Sequence, residues 1–413
     1  MEPVITNDAV VLGILFIILA FVFITSHSSR PFWKKFYKYI PSLLLCYFLP
    51  SILNSLGLIS GEESSLYFMA SRYLLPTSLI FLTLSIDFKA ILGLGKKAVI
   101  MFFAGTVGVI IGGPLAILIT SIFAPEIVGG AGPDAVWRGL ATVAGSWIGG
   151  GANQTAMKEV FQTSDKLFSS MIAVDVIVAN IWMAFLLYGA GISKRMDRLF
   201  KADSSAIDEV RNRIENYQLS IAKIPNLTNV VTLMAVGFGI TGFSHFCADL
   251  LAPFFKKHAP ALEKFSLTSD FFWLIVIATT AGLILSFTPV RKLEGVGASR
   301  IGSLFIYVLV ATIGMKMDIM AVFESPELFL VGLIWMIIHV VILLSVGKII
   351  KAPFFFIAVG SQANIGGAAS APIVASAFHP SLATVGVLLA VLGYALGTYG
   401  AWICALVMQL VAP

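Results

Sequence analysis

Twelve runs of apolar residues, each close to the length that crosses a bilayer, follow one another with short charged interruptions. They fall at 8–26, 37–58, 66–86, 97–124, 138–160, 167–192, 226–250, 271–288, 298–317, 326–349, 352–378 and 382–411. Backbone amides and carbonyls inside lipid must be paired within a helix or a closed barrel. Runs of this length predict helices, so the expected fold is an all-α polytopic membrane protein. Composition agrees: 58% of residues are hydrophobic and 12% charged, against about a quarter charged in soluble domains. Mean hydropathy is +0.94.

The net charge of +5 comes from lysines and arginines in short loops. No basic stripe with interleaved aromatics leaves the membrane, so no nucleic-acid partner is expected. Cys46, Cys247 and Cys404 lie in or beside apolar runs at no metal-like spacing and read as inert thiols. The N-terminus carries Glu2 and Asp8 instead of a basic segment, so the first run is expected to stay as a helix.

One run contains what lipid tolerates least. GSWIGGGANQTAM, residues 145–157, sets four glycines and the polar Asn153, Gln154 and Thr155 inside an apolar segment. Irregular backbone at that depth is stable only against protein or a water-filled cavity. Its glycines permit unwinding. Freed carbonyls can then hold a cation, and the exposed N-terminus of the following half-helix favours an anionic group. Close packing of helices through small residues is the competing explanation.

The stretch recurs. VGSQANIGGAASAPI at 359–373 aligns with AGSWIGGGANQTAM at 144–157, placing Gly145-Ser146 on Gly360-Ser361, Gly151 on Gly366 and Thr155-Ala156 on Ser370-Ala371. LTLSIDFKAI at 82–91 resembles VATIGMKMDIMAV at 310–322, one helix upstream in each half. Loop charges alternate oppositely: Lys89, Lys96 and Lys97 follow Glu62 and Glu63, whereas Glu324 and Glu327 follow Arg291, Lys292 and Arg300. Two inverted five-helix repeats with crossed discontinuous helices are expected, in core and panel domains. The chain then divides into an additional N-terminal helix (1–36), a first repeat (37–192), a charged linker with an additional helix (193–270) and a second repeat (271–413). Antiparallel repeats need an even number of crossings between them, but hydropathy offers one, 226–250. The basic loop 193–225 would also fall outside, against the positive-inside rule.

Candidate ion ligands are Ser146, Asn153, Thr155, Asp175, Gln362 and Asn364, with Asn153, Asp175 and Asn364 as the sodium candidates. Amide, hydroxyl and carboxylate oxygens are hard ligands that suit such a cation. Gly150, Gly151, Gln154, Ser361, Gly366, Gly367 and Ser370 are candidates for the solute. Asp175 sits deep in an apolar run, where a carboxylate costs on the order of 3 kcal/mol. It is expected to face a cation or a proton path, the alternative being a structural carboxylate held by Asn180 or a hydroxyl. Arg72 reads as a snorkelling side chain or a solute contact, and Lys316 with Asp318 as an interface. His339 reads as an interior imidazole, His245 with Asp249 as a pair at a helix end.

The glycine-rich motifs, with an acid on the following helix, resemble the YjcL-like family, a domain of unknown function grouped with cation/proton antiporters and bile-acid symporters. The resemblance covers nearly the whole chain. It implies a core domain moving against a panel in an elevator-like cycle. In the antiporter branch acids on the helix after the first break carry the ions, and only Asp175 matches here. In the symporter branch amides and hydroxyls around the break bind sodium.

A sodium-coupled importer of a small polar or anionic solute is therefore expected, with the coupling ion in place of any cofactor. The alternatives are a sodium/proton antiporter using Asp175 and a non-transporting scaffold or receptor. No HExxH, paired aspartates or Ser/His arrangement supports an enzyme. The expected setting is the plasma membrane, multi-pass, N-terminus outside, with a homodimer compatible.

Overall fold

A computed structural model describes residues 3–40, 42–202, 207, 225–265, 267–316, 325–379 and 382–413. Of the residues weighed above, Glu2, Asp318, Glu324 and most of the basic loop 193–225 lie outside them. The described residues hold no strand. In chain order the helices are α1 (Asp8–Ser26), α2 (Pro31–Tyr39), α3 (Ser42–Ser55), α4 (Leu66–Met69), α5 (Leu75–Leu84) and α6 (Phe88–Gly93). Then come α7 (Lys96–Phe123), α8 (Pro125–Val128), α9 (Val136–Val160), α10 (Asp165–Gly191) and α11 (Ser193–Phe200). The rest are α12 (Leu227–His258), α13 (Asp270–Ser286), α14 (Ala298–Gly314), α15 (Leu328–Ile349), α16 (Phe354–Ile365), α17 (Gly367–Ser376) and α18 (Ala383–Val411).

Among the described residues six helices are long and apolar enough to cross a membrane: α1, α7, α10, α12, α15 and the Val385–Val411 stretch of α18. A seventh candidate is α13 joined to the turn Pro289–Val296 through a 98° bend. Helices α4 and α5 are joined by a π-helical turn, Ala70–Leu74. Helix α12 runs on to His258, beyond the expected end at 250, and finishes on Lys256, Lys257 and His258, cations that suit a helix C-terminus.

The two glycine-rich segments do not cross. At Gly150 the backbone of α9 takes φ 73° and ψ −174°, and the chain turns back. The Arg138 guanidinium donates to the Phe161 carbonyl, and Thr163 Oγ1 donates to the Arg138 carbonyl at 3.1 Å. The Trp137 and Phe161 rings meet edge-on at 5.6 Å. A straight helix would hold Arg138 and Phe161 about 34 Å apart. Helix α9 is therefore a re-entrant hairpin with Gly150 at its tip.

Helices α16 and α17 do the same. Phe355 and Phe378 lie 5.2 Å apart, centroid to centroid, at the base of a second hairpin. Its tip is Gly366-Gly367, with φ +55° at Gly367. A Cβ added to Gly367 would stand 3.9 Å from the Gly150 Cα, so the tips meet. The expected crossed helices are thus corrected: both are broken, but each reverses at a glycine in left-handed backbone and they touch tip to tip.

Contacts between chain-distant ends sort the helix termini into two faces. On the first, Asp8 accepts from Ser64 Oγ at 2.7 Å, Tyr67 donates to Glu159, and Lys316 pairs with Asp165 at 3.8 Å. On the second, Arg291 pairs with Asp87, Asp197 accepts the Phe354 N–H at 2.7 Å, and Lys97 donates to the Lys351 carbonyl at 2.8 Å. The α9 hairpin opens on the first face and the α16–α17 hairpin on the second. Between them the long helices alternate from face to face.

Helix α18 packs along both hairpins through glycines. A Cβ on Gly397 would stand 2.6 Å from the Gly149 Cα, and one on Gly393 would stand 2.6 Å from the Ile148 carbonyl oxygen. Trp147 and Trp335, both fully buried, lie 5.0 Å apart behind the first tip.

Candidate functional site at the hairpin tips

Asp175 of α10 is 6% exposed and binds both arms of the first hairpin. Its Oδ2 accepts from Ser146 Oγ at 2.6 Å and from Gln154 Nε2 at 3.0 Å, and its Oδ1 accepts from Trp147 Nε1 at 2.7 Å. Ser146 and Trp147 precede Gly150, and Gln154 follows it. A carboxylate offers about four acceptor positions. Three are filled, leaving one for a cation or a proton. Asn180 is not a partner: its Nδ2 donates to the Val176 carbonyl at 2.7 Å.

The two asparagines form matching locks. Asn153 Nδ2 donates to the Gly149 carbonyl at 3.1 Å and the Tyr394 carbonyl at 3.0 Å, while its Oδ1 accepts from Thr398 at 2.7 Å. Asn364 Nδ2 donates to the Gly360 and Phe102 carbonyls, both at 2.9 Å, while its Oδ1 accepts from Thr106 at 2.7 Å. Each reaches its own helix four residues back, then a carbonyl on a neighbouring helix and the threonine one turn beyond it. The sequence places both among the sodium ligands; in the structure each amide oxygen accepts from a threonine, and one amide hydrogen goes to its own helix and the other to α18 or α7.

On the second hairpin Gln362 Nε2 donates to Ser370 Oγ at 2.7 Å, linking the two arms. Its Oε1 is buried without a hydrogen-bond partner. Buried carbonyl oxygens seldom stay unpaired, and one at a hairpin tip calls for a donor or a cation. Ser361 is occupied differently, held by Trp182 Nε1 at 2.9 Å and His339 Nε2 at 2.8 Å. Thr155 donates to the Gly151 carbonyl at 3.0 Å, within its own helix. The structure therefore brings Ser146, Gln154 and Asp175 together on one side and Gln362 with Ser370 on the other. Gly150, Gly151, Gly366 and Gly367 form the tips between.

A charged cluster at the base of the first hairpin escapes the sequence reading. Lys158, 5% exposed, contacts Asp165 Oδ1 at 2.6 Å, Glu159 Oε1 at 3.7 Å and the Tyr67 hydroxyl at 3.1 Å. Its ammonium lies 4.8 Å from the Tyr67 ring centroid and 5.5 Å from that of Phe168. Arg72, aimed by the π-helical turn, reaches Glu159 at 3.7 Å and stacks over Phe271 at 4.5 Å. A Lys-Glu pair ending an apolar run was the available signal. His245 pairs its Nε2 with the Arg72 carbonyl at 2.9 Å rather than with Asp249. Among the described residues no three His, Cys, Asp or Glu side chains gather as a metal site.

Comparison with known proteins gives the family. The family model described as "Protein of unknown function (DUF819)" matches residues 13–411. The uncharacterized membrane protein YjcL of Bacillus subtilis (strain 168) is 23% identical over 355 residues, 82% of each chain. With nearly its whole length matched, this multi-helix membrane protein belongs to the DUF819 family.

Proposed function

We propose that the protein is a secondary active transporter that couples sodium to uptake of a small polar or anionic organic solute. The observation that carries the reading is the meeting of two re-entrant hairpins at Gly150 and Gly367, with Asp175 bonded to both arms of the first. Hairpin tips supply backbone groups free of helical pairing, and Asp175 and Gln362 Oε1 add open acceptor positions beside them. Such a site suits a small hard cation. The candidate ligands become Asp175, Gln362, Ser146, Gln154 and Ser370, with Asn153 and Asn364 as supports.

An inverted pair of halves supports alternating access. Once the hairpins are not counted as crossings, α12 occupies in the second half the place of α1 in the first, instead of standing as an extra helix. The loops on the second face carry Arg30, Lys34, Lys35, Lys89, Lys96, Lys97, Lys194, Arg195, Arg198, Arg291 and Lys292. By the positive-inside rule that face is cytoplasmic, the N-terminus is outside, and Lys194, Arg195 and Arg198 at the start of the basic loop lie inside. Both conflicts left by hydropathy come from counting hairpins as spans. In the elevator cycle proposed, the hairpins with α10 and α18 move against the remaining helices in a plasma membrane.

The test is uptake into proteoliposomes under an imposed sodium gradient, with a thermal-shift screen for solutes in parallel. Solute accumulation that follows the gradient supports the reading; accumulation indifferent to sodium removes the coupling. The buried carboxylate of Asp175 favours a second reading, sodium/proton exchange.

A further inference from the structure

We infer that the cluster at the base of the first hairpin is a recognition site for a small zwitterion of the α-amino acid kind. The inference rests on the transporter reading and narrows its solute class. A cavity of about 280 Å³ is lined by Gly61, Tyr67, Ser71, Arg72, Glu159 and Lys316 among others. A second, of about 540 Å³, shares Phe68 and Arg72 with it and adds Tyr73, Phe238 and Leu274 together with His245, Asp249 and Asp270. Arg72 therefore stands between a small polar chamber and a larger one of mixed aromatic and acidic lining.

The charges in the small chamber come in pairs that are close but not closed. Arg72 Nη2 lies 3.7 Å from Glu159 Oε2, and Lys316 Nζ lies 3.8 Å from Asp165 Oδ2. The Arg72 and Lys316 side chains are each 25% exposed. Both pairs join the hairpin side, α9 and α10, to the helices opposite it. Glu62, also lining the chamber, adds a further carboxylate.

This balance selects the ligand. A lone anion taking the Arg72 guanidinium would cost Glu159 its Arg72 contact and leave it to the Tyr67 hydroxyl and to Lys158 at 3.7 Å. A lone cation on Glu159 would likewise draw that carboxylate from Arg72. Either loses one opposite-charge contact in a partly buried setting, where such contacts are worth most. A zwitterion replaces the pair in kind: its carboxylate takes the fork of Arg72, its ammonium takes Glu159 or Glu62, and no opposite-charge contact is lost. The planar guanidinium suits bidentate carboxylate binding. The Tyr67 hydroxyl, which donates to Glu159, keeps that carboxylate in place during the exchange. The solute's side chain then extends past Arg72 toward Phe68 and Phe238. From Glu159 to the tip glycine Gly150 is about 13 Å along the returning arm.

The test is binding to purified full-length protein in nanodiscs, with sodium present. The probes are L-alanine, L-leucine, L-phenylalanine and L-glutamine, each beside its deaminated acid and its decarboxylated amine. The expected result is binding of at least one amino acid, with its matched acid and amine at least tenfold weaker. Arg72→Gln and Glu159→Gln should each weaken that binding at least tenfold, and Arg72→Lys, which keeps the charge but loses the fork, should be intermediate. Size-exclusion profiles check that the variants fold. Sodium-induced stabilisation, assigned to Asp175, should persist in all three. Equal binding of an acid and its parent amino acid overturns the zwitterion assignment, as does the absence of binding by every probe. If amino acids bind but sodium stabilises nothing, the coupling reading fails and the recognition site stands.

Discussion

Gly150 and Gly367 face each other at the tips of two hairpins that enter from opposite faces, close enough that a Cβ on Gly367 would lie 3.9 Å from the Gly150 Cα. Neither residue is held to glycine by crowding. A Cβ at Gly150 would meet nothing nearer than Tyr394 Cε1 at 3.5 Å. Backbone conformation is what requires it: φ 73° with ψ −174° is a region that only glycine occupies without strain.

Gly150→Ala is therefore expected to destabilise by about 1–3 kcal/mol through the backbone alone, and to lose uptake while still reaching the membrane. Gly151→Ala, a residue away with its nearest atom 3.8 Å off, is the spatial control. Thermal midpoints of the two purified variants decide; an equal loss in both would mean that the tip is not strained.

Asp175→Asn keeps the shape of the clasp and removes its charge. At least one of the donors Ser146, Trp147 and Gln154 then meets an amide N–H instead of an oxygen, at a cost of about 1–3 kcal/mol. Sodium-dependent stabilisation and sodium-driven uptake should both fall sharply. Proton flux separates the two functional readings: robust sodium-driven proton movement in wild-type proteoliposomes, lost in Asp175→Asn, would overturn the symporter in favour of exchange.

Much of this was legible in the residues, and the failures share a cause. Every apolar run carries helix because length and hydropathy are local properties. Whether a helix crosses or turns back is decided by one φ angle, at Gly150 or Gly367, and hydropathy is blind to it. Glycine content announced the break but not its direction. Asn153 and Asn364 were singled out for their polarity, which is equally the mark of a ligand and of a lock; only the positions of Thr398 and Thr106 distinguish them. Lys158 was hidden because its partners Tyr67 and Asp165 come from other helices.

Those locks give the third prediction. Asn153→Ala removes the side-chain bonds to the Tyr394 carbonyl and the Thr398 hydroxyl, leaving them to the α18 helix and to Thr279, and Asn364→Ala removes those to the Phe102 carbonyl and the Thr106 hydroxyl, which are left to each other and to the α7 helix. Each change is expected to cost about 2–4 kcal/mol and to lower the thermal midpoint in sodium-free buffer as much as in sodium. A residue that served only as a sodium ligand would lower it in sodium alone. Midpoints measured with choline replacing sodium separate the roles.

The fourth prediction concerns the base of the second hairpin. Asp197, on the amphipathic α11, accepts the Phe354 N–H at 2.7 Å, one of the amides that α16 leaves unpaired at its start. Partial burial holds the Asp197 carboxyl above its usual range, and the Phe354 hydrogen bond offsets this only in part. The folded chain thus keeps the Asp197 proton more tightly than the unfolded chain does. That contribution to stability is full below the unfolded carboxyl range and is lost as pH rises through the window just above it. Asp197→Asn removes the titration but keeps an acceptor oxygen, so its thermal midpoint should decline less than the wild type's between acidic and neutral pH. Asp197→Ala removes the acceptor and should cost about 1 kcal/mol at every pH. Midpoints of the three proteins across that range check the assignment, and parallel curves for wild type and Asp197→Asn would refute it.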